Sequence, residues 1–335
     1  MTTNDRLGRP VRDLRLSVID RCNFRCIYCM PRESFGADHA FLPRSEILSY
    51  EEFARLVSIF ADLGVSKVRL TGGEPLLRRD LHKLVAMIAA TPGIDDIALT
   101  TNGSLLAAHA RALRDAGLDR VTVSLDSVDP EMFASMAYTK LALQTVMDGI
   151  AAAHAAGLTP IKLNAVIRRG FNDGGIVELA EFARAGGHIL RFIEYMDVGT
   201  SNQWMLDEVV PAAEIVARIG AVHSLVPLPP SRRGEVARRW RYTDGGGEIG
   251  IISSVTQPFC TDCTRARVTS TGELFTCLFA ASGFDLRKLL RSGASDDEVR
   301  ASIEGVWSRR VDRYSQLRQR SAKDLPRAEM SYLGG

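Results

Sequence analysis

The chain has 335 residues, of which 46% are apolar, and a formal net charge of +2. That length suits one barrel-sized unit with an extension, and the apolar fraction supports a large core. The near-zero charge excludes a general attraction to nucleic acid or membrane, yet the cations are unevenly chosen, six Lys against 36 Arg, and guanidinium groups grip planar anions.

The N-terminus, MTTNDRLGRPVRD, lacks the apolar segment of a secretion signal, and no apolar run approaches the ~18 residues that a membrane helix needs. A cytoplasmic protein is expected, with no membrane and no nucleic acid among its partners. In a reducing compartment six cysteines are read as free thiols rather than disulfides. They fall into two sets of three, 22/26/29 and 260/263/277.

The first strand-like run, LRLSVID, begins at Leu14. The segment DRCNFRCIYCMP follows at once and spaces Cys22, Cys26 and Cys29 as CxxxCxxC, with Tyr28 before the last. Further strand-like runs begin at Lys67 (KVRLTGG), Ile97 (IALTTNG), Val121 (VTVSLDS), Ile161 (IKLNAVI) and Ile189 (ILRFIEYM). Helix-like stretches separate them, such as YEEFARLVSIFADLG and SLLAAHARALRDAG, each closed by a Gly suited to a helix C-terminus. Six βα units in series argue for parallel strands.

An open doubly wound sheet and a partial barrel both satisfy that pattern. Strand alternation puts Arg15, Ser17 and Ile19 on one face, and likewise Lys67, Arg69 and Thr71, and Lys162, Asn164 and Val166. A polar face on a parallel sheet fits a barrel lumen holding a polar ligand, unless these charges are paired or lie at strand ends. The expected fold is α/β, a partial (βα)6 TIM-like barrel with a smaller C-terminal extension.

Beyond Met196 the βα alternation stops, and Pro and Gly become frequent (VPLPPSRRG, DGGGEIG). A boundary is expected near residue 199, dividing the chain into 1–199 and 200–335. The stretch FCTDCTRARVTSTGELFTCLF carries Cys260, Cys263 and Cys277, and residues 284 to 320 look helical again. Three thiols with no obvious fourth ligand suit an iron–sulfur cluster with one open iron, while half of a zinc ribbon is the alternative at this second set. Arg265 and Arg267, at i and i+2, point the same way in an extended segment, as two groups gripping phosphate oxygens would. No P-loop is present.

CxxxCxxC with an aromatic before the last Cys resembles the radical S-adenosylmethionine (SAM) superfamily. That resemblance implies a four-iron cluster on Cys22, Cys26 and Cys29 whose open iron takes SAM. It also implies cofactor contacts from Tyr28, Gly73 of GGEP, Ser124 and Met196. Bland readings exist for the last three: a Gly-Gly turn, a capping Ser, a core Met. Their common position at predicted strand carboxyl ends, where barrel enzymes build active sites, comes from the pattern alone.

Over essentially the whole chain, LRLSVIDRCNFRCIYCMP, VRLTGGEPLLRRDL, LTTNG, LRFIEYMDVGTSNQW, CTDCTRARVTSTGELFTCLF and the terminal MSYLGG resemble the MoaA family, the GTP 3′,8-cyclases of molybdenum-cofactor biosynthesis. The resemblance implies a second four-iron cluster on Cys260, Cys263 and Cys277, and GTP contacts from Arg15, Arg69, Thr100, Lys162, Arg265 and Arg267. It implies catalytic support from Arg265, Arg267 and the tail glycines Gly334 and Gly335. The partners it implies are GTP, an electron donor such as flavodoxin or ferredoxin, the downstream cyclic pyranopterin monophosphate synthase and, in a homodimer, a second copy of the chain. The segment MAYTKLALQTVMDGI is shorter than the family pattern, which leaves the helix there in doubt. A peptide-modifying radical SAM enzyme, an iron–sulfur electron carrier and a zinc-ribbon module are the competing readings.

Overall fold

The computed structural model describes residues 3–36, 38–232, 234–318 and 327–334. Six parallel strands alternate with helices through the first part of the chain. They are β1 (Asp13–Ser17), α1 (Tyr50–Asp62), β2 (Lys67–Thr71), α2 (Leu81–Ala89), β3 (Asp96–Thr101), α3 (Leu106–Asp115), β4 (Arg120–Ser124), α4 (Pro130–Ala137), α5 (Leu143–Ala155), β5 (Lys162–Ile167), α6 (Ile176–Ala185) and β6 (Ile189–Glu194). All six expected strands are present. The stretch left in doubt after β4 forms two helices. Asp129 starts the first, accepting a hydrogen bond from the Met132 N–H, with Pro130 in the first turn.

Burial along the strands follows the period of two. In β5, Leu163, Ala165 and Ile167 are buried, while Lys162, Asn164 and Val166 are half-buried. The apolar set lies in the main core with residues of the surrounding helices, and the alternate set faces the lumen. Helix α1 is fixed at its start by a reciprocal pair, in which Ser49 accepts from the Glu52 N–H and Glu52 accepts from the Ser49 N–H.

The last third of the chain adds α7 (Ala212–Gly220), β7 (Leu225–Leu228), β8 (Arg238–Tyr242), β9 (Glu248–Ile252), β10 (Arg265–Val268), β11 (Glu273–Phe275), β12 (Phe284–Asp285), α8 (Leu286–Arg291), α9 (Asp296–Ser308), α10 (Tyr314–Leu317) and α11 (Met330–Leu333). Its strands extend the barrel sheet at both edges. The order is β12-β11-β10-β1-β2-β3-β4-β5-β6-β9-β8-β7. Strand β10 runs parallel beside β1, with Arg265 opposite Asp13 and Arg267 opposite Arg15. Strand β9 runs parallel beside β6. The two ends of the order do not pair, so the barrel is partial.

This topology sets where chemistry can occur. The first cysteine loop leaves the carboxyl end of β1. The second cysteine turn enters the amino end of β10, next to the amino end of β1. The two sets therefore lie toward opposite ends of one lumen. Among the described residues, no helix is long and apolar enough to cross a membrane.

Candidate active site

Cys22, Cys26 and Cys29 are free, half-buried thiols in the loop after β1. The Cys29 and Met30 N–H groups both donate to the Cys26 carbonyl, at 3.0 Å each, which turns the loop tightly. The Phe24 N–H and Asn102 Nδ2 donate to Cys22 Sγ, at 3.4 and 3.9 Å. Burial pushes the Cys22 thiol up to about 11. Burial also raises Cys26 and Cys29, and the neighbouring thiols and Asp126 add to the effect.

The turn Gly72–Pro75 is packed onto this loop. The Gly73 N–H donates to the Ile19 carbonyl at 2.8 Å and the Glu74 N–H to the Arg21 carbonyl at 2.7 Å. A Cβ at Gly73 would lie 2.1 Å from the Arg21 carbonyl oxygen, so only glycine permits the approach. Glu74 is fully buried and accepts from the Leu76 N–H, the Thr101 hydroxyl and the Asn102 N–H, at 3.0, 2.8 and 2.8 Å. Burial pushes its carboxyl up to about 7.

Tyr28 is buried and donates its hydroxyl to Asp126 Oδ2 at 2.8 Å. Asp126 also accepts from the Val166 N–H at 2.8 Å, and burial pushes it up to about 6. Ser124 ends β4 and stands opposite Asn164 in register. The Met196 carbonyl accepts from Asn202 Nδ2 at 3.0 Å.

Between the cysteine sets the lumen opens into a cavity of about 790 Å³, counted with its mouth. Its walls include Arg15, Lys67, Arg69, Lys162, Arg191 and Arg265. Four of the six residues expected to meet the nucleotide thus line one space. The other two share the lumen face of their strands but lie outside the cavity's lining. Thr100 accepts from Arg69 Nη1 at 2.9 Å, and Arg267 is 2% exposed beside Arg15.

These cations raise one another's cost. Burial and then Arg191 and Arg120 pull the Lys162 ammonium down to about 7. Burial and Arg69 pull Lys67 to about 8. Burial and then Arg69 bring Arg191 to about 9. Burial is also the first cause that lowers Arg15, followed by Arg267, Arg265 and Arg69. Three carboxylates, Asp13, Glu235 and Glu248, share the walls, and Glu248 is taken by Arg239 at 2.5 Å. The balance favours a polyanion.

Cys260, Cys263 and Cys277 are also free and half-buried. Arg265 Nη2 donates to Cys263 Sγ at 3.4 Å, and the Phe279 N–H to Cys277 Sγ at 3.5 Å. Burial is the largest influence on Cys263 and raises it, but Arg265 and Arg310 outweigh it and bring the thiol down to about 6. Burial holds Cys277 up at about 11. The two sets therefore sit in different fields, the second one cationic.

Among the described residues, no three His, Cys, Asp or Glu side chains crowd round one ion position. A multi-iron cluster spreads its thiolates farther than a single ion does. The donor sets fit such a group: each is three free, half-buried thiols, and anionic sulfurs there need a strong positive partner.

The tail reaches the lumen as well. A Cβ on Gly334, whose φ is +71°, would lie 2.3 Å from Thr71 Cγ2 at the end of β2. Glu329 anchors this segment by accepting from the Thr200 N–H at 2.9 Å and the Ser201 hydroxyl at 2.7 Å. Tyr332 bonds to Thr271 at 2.6 Å and to Glu273. Gly335 lies outside the described residues.

The reading of the sequence missed Arg191, Glu74 and Asp126 as members of the site. Alternation in ILRFIE places Arg191 on the inner face, and Glu74 lies inside GGEP, so both carried a signal. Asp126 carried none, since its partner Tyr28 is 98 residues away.

Comparison with known proteins agrees with this geometry. Residues 16–183 match the model of the Radical SAM superfamily, and residues 188–316 match that of Molybdenum Cofactor Synthesis C. The GTP 3′,8-cyclase of Acidothermus cellulolyticus is 56% identical over 356 residues, covering 99% of this chain and 98% of the relative. The GTP 3′,8-cyclase of Xanthomonas axonopodis pv. citri is 49% identical over 331 residues, covering 99% and 98%. Among solved structures, native anSMEcpe with bound AdoMet and Cp18Cys peptide superposes with a TM-score of 0.55 at 12% identity, covering 96% of this chain and 87% of that one. At that identity the likeness concerns the fold.

Proposed function

The chain belongs to the GTP 3′,8-cyclase family within the radical SAM superfamily, and on that premise we propose how its own residues carry the reaction. The activity is the cyclisation of GTP to 3′,8-cyclo-7,8-dihydro-GTP, the first step of molybdopterin biosynthesis. Cys22, Cys26 and Cys29 would hold one four-iron cluster, and Cys260, Cys263 and Cys277 the other. When bound, the first cluster together with SAM supplies a deoxyadenosyl radical able to take the ribose 3′ hydrogen, and the second supplies an open iron for the guanine.

The observation that carries the reading is the set of mutually repelling cations in one lumen between two half-buried thiol trios. Arg15, Arg69, Lys162 and Arg265 take the phosphates, and Lys162 regains a full charge when they arrive. Arg191 joins this set. Thr100 and Arg267 act from the lumen face outside the cavity's lining, the first by orienting Arg69, the second by adding charge beside Arg15. Gly73, just after β2, and Ser124, at the end of β4, hold the amino and carboxylate groups of SAM. Tyr28 and Met196 present backbone groups to the adenine. The Tyr28 hydroxyl is engaged by Asp126, which fixes the loop that carries Cys26 and Cys29.

Gly334 closes the space beside Thr71 and helps to exclude water from the site, and catalytic support from Gly335 belongs to the same proposal. We assign residues 1–199 to the SAM unit and 200–335 to the second-cluster unit. A cytoplasmic flavodoxin or ferredoxin as electron donor, and the cyclic pyranopterin monophosphate synthase as the consumer of the product, complete the proposal; a homodimer is compatible with it.

Anaerobic reconstitution with iron, sulfide, SAM, GTP and a reductant tests the function. One 3′,8-cyclo-7,8-dihydro-GTP per 5′-deoxyadenosine is expected. GTP-independent cleavage of SAM with GTP recovered intact would overturn it.

A further inference from the structure

A buried ion network lies against the second cysteine set and outside every contact assigned above. Asp5 and Arg9 belong to the segment before β1, and Arg310 and Asp312 to the segment after α9. Arg9 Nε meets Asp5 Oδ2 at 2.6 Å, with both side chains fully buried. Arg310 Nη1 meets the same oxygen at 3.4 Å, and its side chain is 1% exposed. Arg310 Nε meets Asp312 Oδ2 at 3.3 Å.

Each arm of this network ends on the cysteine set. Arg9 Nη1 donates to the Cys260 carbonyl at 2.7 Å. Arg310 Nη1 donates to the Cys263 carbonyl at 2.8 Å. The Thr276 hydroxyl, one residue before Cys277, donates to Asp312 Oδ2 at 2.6 Å. Trp307 closes the assembly, donating its indole N–H to the Arg9 carbonyl at 3.1 Å while the Arg310 guanidinium lies 4.5 Å over its ring. One nitrogen, Arg9 Nη2, is buried without a hydrogen-bond partner.

We propose that the Asp5–Arg9–Arg310–Asp312 network sets the reduction potential of the centre on Cys260, Cys263 and Cys277, with Arg310 as the main positioning residue. This rests on reading those cysteines as cluster ligands. The physical reason is charge. Reduction adds one electron, from an external reductant, to an already anionic cluster, and a nearby buried cation favours the reduced state. Two cations and two carboxylates make the network nearly neutral overall. The cations hold the two cysteine carbonyls, so they act at shorter range, and low local polarity preserves their effect. The first set has one such neighbour, Arg25, whose Nη1 donates to the Cys22 carbonyl at 2.7 Å, and carboxylates rather than a second guanidinium, Asp126 and Glu329, face Cys26 and Cys29.

The test uses the full chain reconstituted with both centres and titrated with dithionite and mediators, each centre being followed by its EPR signal. The first centre serves as an internal reference. In Arg310→Gln the ratio of reduced to oxidised second centre at fixed potential falls about tenfold, or 59 mV for one electron. In Asp5→Asn it rises, because a carboxylate is lost and the cations stay. Asp312→Asn gives a second upward shift and does not depend on Arg310→Gln accumulating. Shifts of the same sign in the Arg and Asp variants, an unmoved second centre, or equal shifts of both centres would overturn the proposal. Wild-type protein with half the expected iron and one signal would overturn the ligand reading beneath it, an outcome that iron analysis separates from the others.

Discussion

Arg327 donates from one nitrogen, Nη1, to two oxygens of Asp197, the carbonyl at 2.7 Å and Oδ2 at 2.9 Å. The opposite oxygen of the same carboxylate takes Arg318 Nε at 2.8 Å, and the Tyr314 hydroxyl adds a bond of 2.7 Å to Oδ2. Asp197 directly follows Met196 at the end of β6. One buried carboxylate therefore ties two stretches of the C-terminal segment to the loop after β6, beside the Met196 proposed to meet SAM.

Asp197→Asn removes the charge but keeps the shape, and breaking one side of a buried pair costs about 3–5 kcal/mol. The C-terminal segment is then expected to loosen. Amide hydrogen exchange in 327–334 should quicken while exchange in β1–β6 stays as it was, and GTP cyclisation should fall more than SAM cleavage. Unchanged exchange in the tail would refute the clasp.

Gly334→Ala puts a Cβ against Thr71 at a positive φ that costs an L-residue roughly 1–2 kcal/mol. The tail is expected to withdraw rather than the barrel to yield. Cyclisation should drop by on the order of 10- to 100-fold, as for small misplacements near reacting atoms. Cluster content, read by iron analysis, should match wild type.

Lys162 makes the cavity sensitive to pH. Its ammonium is held at about 7 in the empty protein, below the ordinary lysine value. The sign follows from linkage. The folded state releases this proton before the unfolded state does, so the penalty on the empty fold is full below about pH 7 and fades as pH rises toward the ordinary lysine range. A bound triphosphate restores the charge, so binding takes up a proton and weakens as pH climbs above 7. Calorimetry in buffers of different ionisation enthalpy should register that uptake for GTP, and Lys162→Met should abolish about one proton of it.

Glu194 is fully buried at the end of β6 and accepts from the Ala212, Val255 and Thr256 N–H groups, at 2.9, 2.8 and 2.9 Å, and from the Thr256 hydroxyl. It joins the barrel to α7 and to the loop before Cys260. Glu194→Gln replaces an acceptor by a donor facing N–H groups and should cost ~1–3 kcal/mol of stability. Denaturant unfolding of the apo chain would measure this, and an unchanged midpoint would refute it.

What was legible in the sequence followed the range of the interactions. The six barrel strands and their polar inner faces were readable because alternation and helix-closing glycines are local signals. Both cysteine trios were readable from spacing. The places of β9 and β10 were not, because nothing near Arg265 reveals that it will stand opposite Asp13. The fold of α4 and α5 was left in doubt because the segment is shorter than the family pattern, and Asp129 with Pro130 was the overlooked start signal. Asp197, Arg310 and Asp126 escaped notice for one reason: each works through partners far along the chain, and a lone charged residue gives no sign of its burial.

The central claim is that the lumen brings the ribose of GTP to the radical formed at the first cysteine set. Turnover of GTP deuterated at ribose C3′ tests it most directly. Mass spectrometry is expected to find the label in 5′-deoxyadenosine, and to find none there when deuterium is placed at C2′. Unlabelled 5′-deoxyadenosine from the C3′ substrate would contradict it.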